Sequence, residues 1–307
     1  MRKALIFGAA GFVGGYLYKE LDAHGYKVYG SDILDAPENG MEYIRADLLD
    51  ARRVAEVISD VRPEAIINLA AISSVGQSWK LPQTTMQVNI VGALNILEGA
   101  RAIHPMPKVL FIGSSEEYAV SSEPISEESP LDANNPYGIS KMAQERLAQL
   151  YREHYGMKIY CARPFNHTGV GQRDSFVIPS WCKQAAAISK SGRPGVMRVG
   201  NLNVRRDFSD VRDVVRAYRM ILERGNCGVI YNIGTGNSVL LKDLLDYIVS
   251  LAKQPIAVEI DTSLIRPVDA PYICCDHSLI TQELGWKPEH ELFDTVREMV
   301  KASEGAG

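Results

Sequence analysis

The chain has 307 residues, 46% of them apolar and 23% charged, with a net charge of -4 and a pI near 5.9. This balance gives no electrostatic reason to expect nucleic acid or an anionic membrane as a partner, and no run of about 18 apolar residues suggests a membrane span. The five cysteines, Cys161, Cys182, Cys227, Cys274 and Cys275, show no CxxC spacing, which points to reduced thiols and a cytoplasmic protein. Cys274 and Cys275 read as small buried residues in preference to a strained vicinal disulfide. The length fits one large α/β domain or two intimately joined ones.

The N-terminal "MRKALIFGAAGFVGG" superficially suggests a signal peptide, but its glycines fit a strand–turn–helix. From there short apolar runs alternate with helical patterns. "KALIFG", "KVYGSD", "EAIINLA", "KVLFIGSS" and "KIYCARPF" read as strands buried on both faces. "FVGGYLYKELDAHG", "DARRVAEVISDVR" and "TTMQVNIVGALNILEGARAI" read as helices. The alternation predicts an α/β fold, a Rossmann-type doubly wound parallel sheet.

After Pro164 the rhythm changes. "NHTGVGQRDSF" and "GNLNVRRDFSD" are expected as irregular, site-forming loops around the helix pattern "PSWCKQAAAISKSG". "VRDVVRAYRMILERG" reads as a helix and "GVIYNIGTG" as a strand rejoining the sheet. "LKDLLDYIVSLAKQ", "HSLITQELGW" and "LFDTVREMVKA" complete a smaller, mostly helical C-terminal lobe for substrate. The expected division is 1–165 plus about 209–238 for the lobe built on the parallel sheet, and 166–208 with 239–307 for the smaller lobe.

Gly8, Gly11 and Gly14 form "GAAGFVG" directly after the first strand, with Phe12 and Val13 opening a helix. A turn without Cβ atoms lets backbone approach a pyrophosphate at a helix N-terminus. Asp32 ends the second strand, where a carboxylate accepts ribose hydroxyls and repels a 2′-phosphate. No Arg or Lys occurs in "SDILDAPENGMEY", so NAD(H) is favoured, with NADP(H) possible. Asp47, in "RADLLD", either reaches the adenine edge or caps a helix.

Tyr137 and Lys141 stand four apart in "NPYGISKMAQERLAQLY", a spacing that puts both on one helix face. A nearby ammonium is expected to acidify the phenol, so that Tyr137 exchanges a proton near neutral pH. The polar cluster "GSSEEYA" sits about 20 residues upstream at a strand end, and supplies Ser114, Ser115, Glu116 and Glu117. Glu117 is expected to face solvent or cap a neighbour.

Taken together, "GAAGFVG", "INLAAISSVGQSW", "NIVGALNILE", "GSSEEYA", "YGISK", "RPFN" and "RRDFSDVRD" resemble the extended short-chain dehydrogenase/reductase family over nearly the whole length. The resemblance implies a catalytic set of Ser114, Tyr137 and Lys141, with Ser115 and Glu116 beside it. Asn89 would support the lysine through a bridging water. Leu48, Leu69, Ala70, Ala71 and Pro164 would line the cofactor. Ala119 stands where the family usually has glycine.

Within the family, "ARPFNHTGVGQRDSFVIPS" and "VGNLNVRRDFSDVRDVVRAY" look like the GDP-4-dehydro-6-deoxy-D-mannose reductases, with the GDP-mannose 4,6-dehydratases as neighbours. This implies a GDP-linked 4-keto-6-deoxy sugar as substrate, no metal, and a homodimer paired through two helices. Those helices are the one after Pro136 and the one over 84–103, although packing within one chain gives the same pattern. Ser74, Asn166, Arg206 and Arg266 would face the substrate, guanidinium forks being suited to a diphosphate. Arg206 alternatively pairs with the adjacent Asp207. Val177 either lines the nucleotide slot or packs the core. A 4,6-dehydratase needs a base beside C5, and Glu116 occupies that position, two residues after Ser114. A 4-epimerase with tightly held NAD shares the same serine, tyrosine and lysine.

Overall fold

In the computed structural model, residues 2–265 and 270–305 are described. The first half follows the predicted alternation. β1 (Arg2–Phe7), α1 (Phe12–Ala23), β2 (Tyr26–Asp32), β3 (Glu42–Arg45), α2 (Ala51–Val61) and β4 (Ala65–Asn68) lead into α3 (Val75–Lys80) and α4 (Pro82–Met86). A π-helical turn over Gln87–Val91 then joins α5 (Gly92–Arg101). β5 (Lys108–Ile112), a 3₁₀ turn over Ser115–Glu117, α6 (Pro136–Tyr155) and β6 (Lys158–Pro164) follow. The segment 84–103, expected as one helix, is helical without interruption to Arg101, with the π turn as a bulge inside it.

The second half contains β7 (Asn166–Thr168), α7 (Val177–Ser191), β8 (Gly195–Val199), β9 (Arg205–Asp210), α8 (Val211–Arg224) and β10 (Ile230–Ile233). It ends with β11 (Ser238–Leu240), α9 (Leu241–Ser250), β12 (Ile256–Ile260), β13 (Tyr272–Ile273), α10 (Ser278–Leu284) and α11 (Leu292–Gly305). The two segments expected as irregular loops therefore contain strands. β9 carries β7, β11 and β13 around it, and β12 pairs in parallel with β8. The C-terminal lobe is accordingly less helical than predicted. β9 was hidden because four of the six residues in "RRDFSD" are charged, and its buried Asp207 and Asp210 are satisfied by hydrogen bonds from other elements.

The main sheet runs β10-β6-β5-β4-β1-β2-β3 and all its pairs are parallel. Its central strands are apolar on both faces because each face is covered by helices. Leu17 and Leu21 of α1 and Val214, Tyr218 and Ile221 of α8 fill one side. Val54 and Ile58 of α2, Ile96 and Leu97 of α5 and Ala148 of α6 fill the other. A further core joins Trp181 of α7, Met197 of β8, Leu244 of α9 and Val296 of α11. The chain leaves β1 toward β2 and β3, then returns to β4 on β1's other side, and such a switch point opens a crevice at the strands' C-terminal ends. Cys274 and Cys275 are buried and unbridged.

Candidate active site

The crevice collects residues from five strand ends. After β1, Gly8 adopts φ +83°, and a Cβ there would lie 2.5 Å from the Ala70 nitrogen after β4. Only glycine lets these two turns touch. Gly11 is the N-cap of α1 and supplies no side-chain acceptor, which leaves the first N–H groups of the helix, including those of Phe12 and Val13, to whatever binds there. Gly14 packs on Ala9, where a Cβ would sit 2.3 Å from its carbonyl oxygen. At the end of β2, Asp32 accepts the N–H of Ala10 at 3.2 Å and of Ile33 at 2.8 Å, which ties it to the glycine turn. These features form a cradle for a dinucleotide: close backbone, helix N–H groups and a carboxylate beside the turn.

Asp47 is exposed and its carboxylate accepts the Leu49 N–H at 2.9 Å. It does not cap α2; that role belongs to Asp50, which accepts from Arg53 N at 2.9 Å. Leu48 is buried under α5 at Gly92, while Leu69, Ala70 and Ala71 follow β4 at the crevice. Pro164 ends β6 opposite Ile233. Arg45, two residues past the segment searched for cations, is paired in register with Asp32 across β2 and β3 and reaches Asp35 at 3.3 Å. A predicted β3 would have brought it into the account.

On the other side of the crevice, Ser114 and Tyr137 are both buried, and the serine hydroxyl is near enough to bear on the phenol. Three fittings bring α6 against the turn after β5. Gly138 leaves room for the Glu116 carbonyl, which a Cβ would approach to 2.2 Å. Asn135 caps α6 by accepting Gly138 N–H at 2.9 Å and donates to Glu116 Oε2 at 2.9 Å. Ser78 of α3 accepts the Tyr137 N–H at 3.2 Å. None of these three was read as part of the site from the sequence, although "NPYG" is a visible helix start.

Lys141 is buried, with Nζ donating to the Ile112 carbonyl at 2.7 Å and lying 6.0 Å from the Tyr137 ring centroid. Burial pulls its ammonium down to about 8, opposed by Glu117. The acidified phenol expected from the sequence is corrected by the structure: burial pushes Tyr137 well above its ordinary range, opposed by the Ser114 hydroxyl. Asn89 reaches the residue before Lys141, donating to Ser140 Oγ at 2.8 Å and bracing Ile72. Glu117 is not at the solvent face. It is fully buried and caps the turn by accepting the Ser114 N–H at 2.7 Å. Ala119 stays outside the left-handed region, so the exchange for glycine costs no strain.

Of the residues expected at the substrate, Ser74 caps α3 by accepting Gln77 N–H at 3.3 Å. Asn166 is in register with Phe208, which places Asn166 and Arg206 on one face of the β7–β9 pair. Arg206 is buried in β9. Asp207 points to the opposite face and is filled by donors from Thr235, Gly236 and Cys275. Val177 opens α7 at the surface. Arg266 lies outside the described residues.

A glycine-cradled parallel sheet with serine, tyrosine and lysine converging at the next strand end defines an extended short-chain dehydrogenase/reductase. Residues 5–299 match the model of the GDP-mannose 4,6 dehydratase family, and the chain belongs to that family. The GDP-6-deoxy-D-mannose reductase of Pseudomonas aeruginosa is 31% identical over 299 residues, which cover 96% of this chain and 95% of that protein. The GDP-mannose 4,6-dehydratase of Sinorhizobium fredii is 27% identical over 336 residues, covering 97% and 95%. Among solved structures, RMD of Pseudomonas aeruginosa complexed with NADPH superposes with a TM-score of 0.88 at 30% identity, covering 99% of both chains.

Proposed function

We propose that this protein reduces the C4 ketone of GDP-4-dehydro-6-deoxy-D-mannose to GDP-D-rhamnose with NAD(P)H. The observation that carries the reading is that Ser114 and Tyr137 are buried together at the strand end, where burial keeps the phenol protonated at neutral pH. A ketone reductase requires a protonated donor poised at the developing alkoxide. Tyr137 gives that proton to the C4 oxygen, and Ser114 hydrogen-bonds the same oxygen as charge builds. Lys141, poised near neutrality, steadies the phenolate left behind. The nicotinamide, when bound, supplies the hydride that carbon receives. Gly8, Gly11, Phe12 and Val13 would hold its pyrophosphate, and Asp32 its ribose hydroxyls. Asp32 favours NAD(H), while Arg45 beside it gives a 2′-phosphate a cation to meet.

The preference for reduction over dehydration rests on the relatives. The alignment with the Pseudomonas reductase spans 299 residues, while the dehydratase from Sinorhizobium needs 336 for nearly the same share of this chain. The dehydratase reading keeps one supporting observation, the Glu116 carboxylate held at the site by Asn135. Asn166 and Arg206 are proposed to face the diphosphate. Val91, Ile139 and Leu150 leave apolar surface on the helices around α5 and α6, which supports a homodimer, testable by light scattering.

Incubation with GDP-mannose, and separately with its 4-keto-6-deoxy derivative, each with NADH or NADPH, tests the proposal by NMR of the products. GDP-D-rhamnose should form only from the keto sugar. Conversion of GDP-mannose itself, without net loss of reduced cofactor, would assign a dehydratase.

A further inference from the structure

Behind the Ser114 turn lies a buried charged layer to which the proposed chemistry assigns no role. Arg163, near the end of β6, forms a bidentate pair with Glu145 of α6, at 2.5 Å through Nη2 and 3.0 Å through Nε. Its Nη1 donates to Tyr118 Oη at 2.8 Å, and Tyr118 in turn donates to Asn232 Oδ1 of β10 at 2.7 Å. Glu117 projects into this layer. Its Oε1 accepts the Ser114 N–H at 2.7 Å, while Oε2 lies 3.5 Å from Arg163 Nε and makes no hydrogen bond. Gly113 makes the room, since a Cβ there would stand 2.4 Å from Oε1.

We infer that Glu117 is a positioning residue for Ser114, its Oε1 fixing the serine backbone and so aiming the hydroxyl at Tyr137. The turn is three residues long, and its backbone bonds, Glu117 N–H to Ser114 O and Tyr118 N–H to Ser115 O, are 3.2 and 3.3 Å. Two further bonds of Ser114 and Glu117 are also longer: the Ser114 hydroxyl accepts the Glu116 N–H at 3.2 Å and the Glu117 carbonyl accepts the Asp132 N–H at 3.1 Å. The carboxyl bond is the short one, and its other oxygen faces Arg163 of β6, which Glu145 of α6 holds in place. The sheet and the helix bearing Tyr137 therefore meet at the serine through Glu117. The serine is held through Oε1 alone, since Oε2 makes no hydrogen bond and faces only the Arg163 guanidinium. Burial and Glu145 also push the Glu117 carboxyl above the usual carboxylate range, and a neutral carboxyl still offers Oε1.

The inference rests on the reading of Ser114 and Tyr137 as the proton-transfer pair, and its test separates the two. Glu117→Leu, which fills the space without an acceptor, and Glu117→Gln, which keeps one, are compared with Ser114→Ala. Reads are kcat, KM, cofactor affinity and the Tyr137 Cζ resonance in ¹³C-tyrosine protein, assigned with Tyr137→Phe. Glu117→Leu should lower kcat by roughly ten- to a hundredfold, leave KM and cofactor affinity within about twofold, and move the resonance to its Ser114→Ala position. Glu117→Gln should restore most of kcat and leave the resonance in place. A Gln variant as damaged as Leu, or a Leu variant with unchanged kcat and resonance, would overturn the inference. If Glu117→Leu does not fold, a displaced resonance in Glu117→Gln overturns it and an unmoved one supports it. The resonance is read without substrate, so a failed substrate assignment leaves this test standing.

Discussion

At the ends of β1 and β5 one sheet supports two different constructions. After β1 the working surface is backbone, and its residue requirements are mostly for missing atoms: Gly8 at φ +83°, Gly14 against Ala9 and Gly11 ahead of α1. After β5 the surface is side chains, and they are held by other side chains: Ser114 by Glu117, Glu116 by Asn135, and Glu117's surroundings by Arg163 and Glu145. A backbone site is lost by adding atoms and costs little to maintain. A side-chain site is lost by removing them, and it carries buried charge that the fold must stabilise.

The sharpest break falls on the side-chain half. Tyr137→Phe removes the proposed proton donor and keeps the ring, so turnover should fall roughly a thousandfold while cofactor affinity, read by fluorescence titration, holds. Arg163→Met leaves Glu145 and Glu117 buried without their cation, and unfolding in denaturant should show a loss of about 3–5 kcal/mol.

Lys141→Met sharpens the comparison by separating function from stability. A lysine drawn from 10.5 to about 8 binds fewer protons folded than unfolded, so stability rises with pH across that window. The cost of burying the ammonium is fully present below about 8 and relieved toward 10.5. The variant should therefore be inactive yet more stable at pH 7, by roughly 3 kcal/mol, an advantage that fades by pH 10 in thermal scans. Gln144 still donates to the Ile112 carbonyl at 3.1 Å, so no acceptor is orphaned.

The smallest effect belongs to the backbone half. Gly8→Ala meets an unfavourable φ and the Ala70 nitrogen, and should cost about 2 kcal/mol together with most of the cofactor affinity, since the cradle itself must move.

The glycine turn, Asp32 and the Tyr137–Lys141 spacing were legible because each is a local pattern with a local cause. β1, β4, β5 and β6 were legible as apolar runs. Glu117's capping role was one of the two readings offered, but its burial was not legible, because that depends on Arg163 and Glu145, more than 25 residues away on other elements. The phenol was misjudged for a related reason: spacing places Lys141 near Tyr137, but spacing is silent on desolvation, which dominates both groups. β3 and β9 were missed because they are short or charged, and their strand character comes from neighbouring strands. Arg45 followed β3 out of view.

The central claim is that the Ser114–Tyr137 pair serves a net reduction. The most direct test follows absorbance of the reduced cofactor while the 4-keto-6-deoxy GDP sugar is consumed, in wild type and in Tyr137→Phe. One NAD(P)H should be oxidised for each 6-deoxy sugar formed, and almost none in the variant. Sugar conversion with no loss of reduced cofactor, or a variant as fast as wild type, would contradict it.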